Sequence, residues 1–308
     1  MALHRRSALR REAVVSYPKI DLVSAVVLVT GGGRGIGRAT ALAFADRGAR
    51  VIVGDLDGDA AEDTARTIGR RAHGLRLDVR ERASFAAFVQ DATAMAGPVD
   101  ILVNNAGVMP LGSFLDEADG TSRVTLDVNV WGLVLGMRLV APAMVKRRRG
   151  HIVNVASMAG KIPIPGMAVY NASKFAAVGL TAAVRAELAP SGVSVSAVLP
   201  SAVRTSLVAG VPLGRGMPTV EPEDVAAAVV ASCTNRKAEL PVPRYIGAWD
   251  LLAAVVPERL MTFGRGVLLD DRRALTSIDA EGRRDYTERV ERQARTNETP
   301  ISNAAIVG

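Results

Sequence analysis

Five glycines fall within the eight residues TGGGRGIG at 30–37, directly after the apolar run AVVLV at 25–29. Glycine loses more backbone freedom on folding than any other residue, so a strand-to-helix junction carries this many only where bare backbone is needed. In an open parallel sheet the ligand crevice lies beyond the carboxyl ends of the strands, and the first strand-to-helix turn presents free N–H groups at a helix N-terminus. A diphosphate fits there when no side chain intervenes. Gly31, Gly35 and Gly37 then supply the turn, the close approach and the helix-to-strand packing. A tight turn is the plainer use of the same glycines, so the context has to decide.

The context is an alternation of short apolar runs with helix-length segments. Strands are expected at 25–30, 50–54, 75–79, 100–104, 151–156 and 194–199, and helices at 35–48, 58–70, 82–96, 120–146 and 169–190. Strands apolar on both faces belong in a parallel sheet covered by helices on each side. With right-handed crossovers this predicts an α/β fold: a single Rossmann-like doubly wound parallel sheet with a helical C-terminal extension. After Pro200 the pattern changes to a loop over 201–221 rich in Gly, Pro and small apolar residues. A helix beginning at EPEDVAAAVVASC and a final strand within AELPVPRYIG follow, and then apolar pieces broken by proline and glycine. Residues 270–308 are charged and then polar, which suggests a short helix at 280–294 and a frayed end. The expected organisation is a basic N-terminal extension (1–21), a dinucleotide-binding catalytic domain (22–247) and a C-terminal helical extension and tail (248–308).

Composition narrows the function. A hydrophobic fraction of 49% over 308 residues excludes a mainly disordered chain. The net charge of +7 comes from scattered arginines, and with aromatics at only 4% there is no interleaved stacking platform, so no nucleic-acid partner is expected. No uncharged apolar run reaches the roughly 18 residues of a spanning helix. The start MALHRRSALRREAVVSYPK lacks the apolar core of a signal peptide, and the lone Cys233 forms no internal disulfide, so a cytoplasmic location is expected. The arginine-rich start and the segment LLAAVVPERLM leave peripheral membrane contact open. No metal site is expected.

An acid closes the next strand: Asp55, in VIVGDLD. Its carboxylate can accept both adenosine ribose hydroxyls and would repel a 2′-phosphate, which favours NAD over NADP. Arg34 inside the glycine loop is the counter-signal, since it either pairs with a 2′-phosphate or is simply solvated. Asp78 and Val79, at the expected end of the third strand, could bond the adenine amino group and bracket the ring. Asn105, Ala106 and Gly107 of NNAG would leave a small-residue surface against the cofactor at the end of the fourth strand.

Ser157 ends the fifth strand, and Tyr170 and Lys174 share one helical face in YNASK. A phenol with an ordinary pKa near ~10 gives up its proton reluctantly at neutral pH, and a nearby ammonium favours the phenolate. Tyr170 could therefore act as general acid for carbonyl reduction or base for alcohol oxidation, with Lys174 tuning it and holding the nicotinamide ribose. Ser157 would steady charge on the substrate oxygen. Asn129, an amide in an apolar helix, either is satisfied by local backbone or marks a kink holding a water that links Lys174 to solvent.

Taken together, the TGxxxGxG loop, NNAG, the serine and YxxxK resemble the short-chain dehydrogenase/reductase family over roughly residues 22–235. The resemblance implies that Asn129, Ser157, Tyr170 and Lys174 form a catalytic tetrad, and that Ile36, Leu56, Val203 and Thr205 join the cofactor contacts. It also implies hydride transfer between NAD(P) and alcohols or carbonyls, and a homodimer or homotetramer. One departure is PSAVRT, with Ser201 where the family usually has glycine after the proline. The apolar residues Met109, Leu111, Met158, Ile162, Ile164, Leu207, Val208, Val211, Leu213 and Met217 suggest a lipophilic alcohol or ketone of steroid, retinoid or fatty type. The alternative is a catalytically silent NAD(H)-binding sensor on the same fold.

Overall fold

The computed structural model describes residues 17–211, 218–248, 275 and 278–295. The N-terminal arginines, Leu213, Met217, the apolar segment after 248 and the last residues of the tail lie outside them. Seven parallel strands form one sheet in the order β3-β2-β1-β4-β5-β6-β9. They are β1 (Val26–Thr30), β2 (Arg50–Asp55), β3 (Ala72–Arg76), β4 (Ile101–Asn104), β5 (Gly150–Val155), β6 (Val193–Pro200) and β9 (Glu239–Val242). Two short strands, β7 (Ala202–Val203) and β8 (Thr219–Val220), pair across the base of the loop after β6. The order reverses between β1 and β4, which opens a crevice at the carboxyl ends there.

The period-two alternation of a strand explains the two cores. Val26 and Leu28 of β1 pack into one apolar cluster, Val27 and Val29 into the other. Helices α1 (Gly35–Ala45), α2 (Gly58–Ile68) and α7 (Pro222–Asn235) cover one face, and α3 (Arg82–Ala96), α5 (Gly132–Arg147) and α6 (Ala168–Leu188) the other. Local chemistry sets several helix ends. Asp57 caps α2 by accepting from Ala60 N–H at 3.1 Å, and Gly69, at φ +89°, stops it. Pro222 opens α7 behind a reciprocal Glu221/Asp224 cap.

Two expectations need correction. The third strand runs Ala72–Arg76 rather than 75–79, because the Gly69 turn returns the chain to the sheet at once, with Ala72 beside Val51. Asp78 and Val79 therefore sit in the loop beyond the strand. The long helix expected at 120–146 is interrupted: α4 (Asp119–Leu126) passes through a π-helical turn, Asp127–Trp131, into α5. By length and composition the stretch Asp119–Arg147 is apolar enough to cross a membrane, but 56% of its apolar window is buried inside this fold. The short helix expected at 280–294 is present as α8 (Ala280–Arg295), and it is docked: its Tyr286, Val290 and Ala294 belong to the same core as Leu28 and Ile52. Burying Val290 alone is worth on the order of 2 kcal/mol.

Candidate active site

The glycine loop turns where the sequence demands it. Gly31 and Gly35 hold φ of +62° and +52°, a region that side chains disfavour. A Cβ on Gly37 would stand 2.1 Å from Gly31 O, so the helix packs on the turn only with glycine there. A Cβ on Gly31 would stand 2.8 Å from Ala106 Cα. Helix α1 starts without a side-chain cap and with no acid in its first turn, which leaves its leading N–H groups for an anion. Asn105 braces the loop by donating to Thr30 O at 3.0 Å and Gly31 O at 2.9 Å, while Thr30 Oγ1 accepts from the N–H groups of Asn105 and Ala106. The Asn105 amide is thus committed to scaffolding, and Ala106 and Gly107 supply the small surface beside the cleft.

Asp55 reaches back to the loop. One carboxylate oxygen accepts from Gly33 N–H at 2.9 Å and the other from Asp57 N–H at 3.1 Å. Arg34 is engaged by Asp57 at 2.5 Å, and that guanidinium holds the Asp57 carboxyl below the usual range. Asp78 lines the same end but is gripped by Arg80, at 2.7 Å for the closest pair. Desolvation raises the Asp78 pKa, and the hydrogen bonds from Arg80 outweigh it, so the carboxyl is lowered. The residue expected to meet an adenine amino group is therefore half of a buried ion pair. Ile36, Leu56, Val79, Val203 and Thr205 all line the cleft, and Thr205 Cγ2 would lie 3.1 Å from a Cβ on Gly35.

At the opposite end, Ser157, Tyr170 and Lys174 converge. Ser157 Oγ accepts from Ala159 N–H at 3.1 Å, donates to Pro200 O at 3.5 Å, and lies close enough to the Tyr170 hydroxyl to act on its pKa. Burial drives the Tyr170 pKa above its ordinary value against the lowering influence of Ser157. Burial also pushes Lys174 down to about 8. Lys174 Nζ donates to Val155 O at 3.1 Å and lies 5.6 Å from the centre of the Tyr170 ring. The lowering of the phenol by a neighbouring ammonium, expected from the YxxxK spacing, is absent among its causes: desolvation of both groups dominates.

Asn129 sits in the π-helical turn, a wider turn that often marks functional positions. Its side chain exchanges two bonds with the Val108 backbone, both 2.9 Å, and donates to Ser173 Oγ at 3.0 Å. The kink is present, but the partners are a distant loop and helix α6 rather than local backbone. Ser201 is buried and donates to Pro218 O at 2.6 Å, so the serine that replaces glycine ties together the two ends of the loop after β6.

Apart from Asn129 and Gly37, which stand behind its wall, these groups line one cleft of about 1060 Å³, running from Asp55 and Asp78 past the glycine loop to Tyr170, Ile164, Leu207 and Val211. Its volume exceeds that of a typical single-ligand pocket, as a dinucleotide plus a substrate requires. One wall went unread in the sequence: Tyr286, Arg289, Val290, Arg292 and Gln293 of α8 line it. The signal was available as an apolar stripe of Tyr286, Val290 and Ala294, at four-residue spacing in a charged segment. Helix α8 is fastened to three strand-end loops. Arg80 donates to Gln293 O at 3.1 Å, Met109 N–H donates to the Tyr286 hydroxyl at 2.7 Å, and buried Arg283 donates to the carbonyls of Met109, Leu207 and Ala209.

Residues 25–215 match the family model described as short chain dehydrogenase. The chain is 34% identical over 249 residues to estradiol 17-beta-dehydrogenase 11 of Mus musculus, covering 79% of this chain and 83% of that one. It is 34% identical over 241 residues to 17-beta-hydroxysteroid dehydrogenase 13 of Rattus norvegicus, covering 76% and 80%. Among solved structures, a short chain dehydrogenase/reductase from Burkholderia phymatum in complex with NAD superposes with a TM-score of 0.69 at 29% identity, covering 74% of this chain and 92% of that one.

Proposed function

The chain belongs to the short-chain dehydrogenase family, and on that premise we propose that it exchanges hydride between NAD(H) and a lipophilic secondary alcohol or its ketone. The observation that carries this reading is the convergence of Ser157, Tyr170 and Lys174 on the cleft that begins at the bare glycine loop. When bound, the nicotinamide supplies the hydride donor or acceptor. The remaining roles fall to the chain's own groups. Tyr170 gives a proton to the substrate oxygen in reduction and takes it back in oxidation. Ser157, beside the Tyr170 hydroxyl, orients that oxygen and steadies its charge. Lys174 holds the ribose and, with a pKa near neutrality, moves protons toward the phenol. Asn129 fixes the π-helical turn against Val108 and α6, which keeps Lys174 in register.

Preference for NAD over NADP is supported by Asp55 and Asp57, two carboxylates at the ribose end, the second of which engages Arg34. A lipophilic substrate is supported by the apolar cluster of Met109, Ala159 and Tyr170 with Leu111, Ile164, Leu207 and Val208 around it, and by the steroid dehydrogenase names of the relatives. A homodimer is supported by exposed Leu126, Trp131 and Phe175 on neighbouring helices.

The test is a panel of lipophilic alcohols and ketones with both cofactors. Turnover is expected with NAD(H), and Tyr170→Phe should lower it by roughly a thousandfold while NADH binding persists. Asp55→Ala should narrow the preference for the unphosphorylated cofactor. Turnover confined to small hydrophilic sugars, or Tyr170→Phe retaining full activity, would sink the reading; NADH binding without any turnover would favour the silent sensor.

A further inference from the structure

Two phenols face the substrate end of the cleft. Tyr170 comes from α6 and Tyr286 from α8, near the other end of the chain, and they are only 6% and 7% exposed. The surroundings of Tyr286 are unusual. Its hydroxyl oxygen accepts from Met109 N–H at 2.7 Å, which anchors the oxygen but leaves its proton unspent. The main-chain carbonyls of Met109, Leu207 and Ala209 accept from Arg283, and none of them takes a bond from the Tyr286 hydroxyl. Arg283 also lies over the Tyr286 ring, 4.6 Å from its centre, and so helps to fix the ring. Among the described residues the Tyr286 hydroxyl donates to no acceptor, although the group is buried and borders the cavity. A buried donor without a partner is costly, and a ligand acceptor in the cleft removes that cost.

Around the two phenols and Ser157 the wall is largely apolar, with Met109, Ile164 and Leu207 prominent, while Ser206 and Arg289 also line the cleft. On the reading that Tyr170 and Ser157 meet the reacting oxygen, Tyr286 is left for a different one. We propose that Tyr286 is a substrate-binding residue whose hydroxyl donates to a second oxygen of the substrate, so that the enzyme selects lipophilic alcohols or ketones carrying a further carbonyl or hydroxyl away from the reacting carbon. A site built around such a donor rejects analogues that leave it unpaired more strongly than an apolar pocket rejects a change in size.

The experiment uses the full chain with NADH, a long-chain methyl ketone, and a series of the same ketone with a second carbonyl placed progressively further along. Wild type is expected to favour one spacing by about tenfold in kcat/KM, chiefly through KM. Tyr286→Phe keeps the ring under Arg283 and removes the donor, and the ratio between the two ketones should fall toward one. The loss of the Met109 N–H acceptor affects both ketones alike, so it cancels in that ratio. The same preference should appear without turnover in calorimetric binding of the ketones to NADH-loaded Tyr170→Phe, which also serves if Tyr286→Phe does not fold. No preferred spacing in wild type, or a ratio that survives Tyr286→Phe, overturns the assignment. If neither ketone is reduced although NADH binds, the oxidoreductase reading fails, and the role of Tyr286 is still decided by whether the binding preference of Tyr170→Phe disappears in Tyr170→Phe/Tyr286→Phe.

Discussion

The nucleotide half and the substrate half of the cleft are built in opposite ways. The nucleotide half is made from β1, its glycine turn and the ends of β2 and β4, and is braced by side-chain-to-backbone bonds such as Asn105 Nδ2 to Gly31 O. Its tolerance is small: bare backbone packs on bare backbone. The substrate half draws on residues 157–170, 203–211 and 286–293, the last of them on α8. There α8 is fastened by polar ties, the most connected of which is a buried guanidinium serving three carbonyls. The difference teaches that one half is fixed by local steric necessity and the other by a long-range polar tie, so the two should fail differently.

The largest effect is expected at Gly37. Gly37→Ala would force a methyl against Gly31 O, 2.1 Å away, and Asn105 Nδ2, 2.5 Å away. NADH affinity measured by fluorescence should weaken by more than about a hundredfold, with the helical circular dichroism retained. Affinity within a few-fold of wild type would show that the turn is more forgiving than its geometry implies.

A smaller and differently placed effect is expected from Arg283→Met. Three carbonyls lose their donor, which should loosen residues 206–211 to limited proteolysis and lower kcat/KM for a lipophilic ketone by about tenfold, mainly through KM. NADH affinity should change by less than about threefold. Equal damage to NADH binding would break the division into two halves, because it would mean that α8 stabilises both together.

The smallest effect concerns pH and sharpens the boundary between the halves, where Lys174 sits. Burial lowers its pKa from 10.5 to about 8 in the folded cofactor-free chain. In the unfolded chain it stays protonated to about pH 10. Between those values the unfolded state binds more protons, so this group's contribution makes stability rise with pH. The stability of wild type relative to Lys174→Met should climb by on the order of 2 kcal/mol from about pH 8 to about pH 10, in denaturant titrations. Tyr170 is common to both proteins and largely cancels. A flat difference would mean that water reaches the ammonium.

The nucleotide half was legible because its requirements are local. The glycine turn, Asp55 and NNAG follow apolar runs within a few residues, and each strand end points the same way in a parallel sheet. The YxxxK spacing likewise puts Tyr170 and Lys174 on one face of α6 wherever the helix goes. Electrostatics were not legible. Asp78 lies outside its expected strand and is paired with Arg80, and the Tyr170 pKa moves up rather than down, because desolvation depends on what the rest of the chain packs around these groups.

The amino-acid sequence by itself determined the sheet, the crevice and the reactive pair, since hydrophobic period, glycine conformation and helical spacing act over a few residues. Only the tertiary structure decided that Arg283 and Tyr286 complete the substrate end. Their contacts to Met109 and Leu207 span 76 to 177 residues of chain. Contacts at that separation depend on how helices dock across the finished sheet, which no short-range pattern encodes.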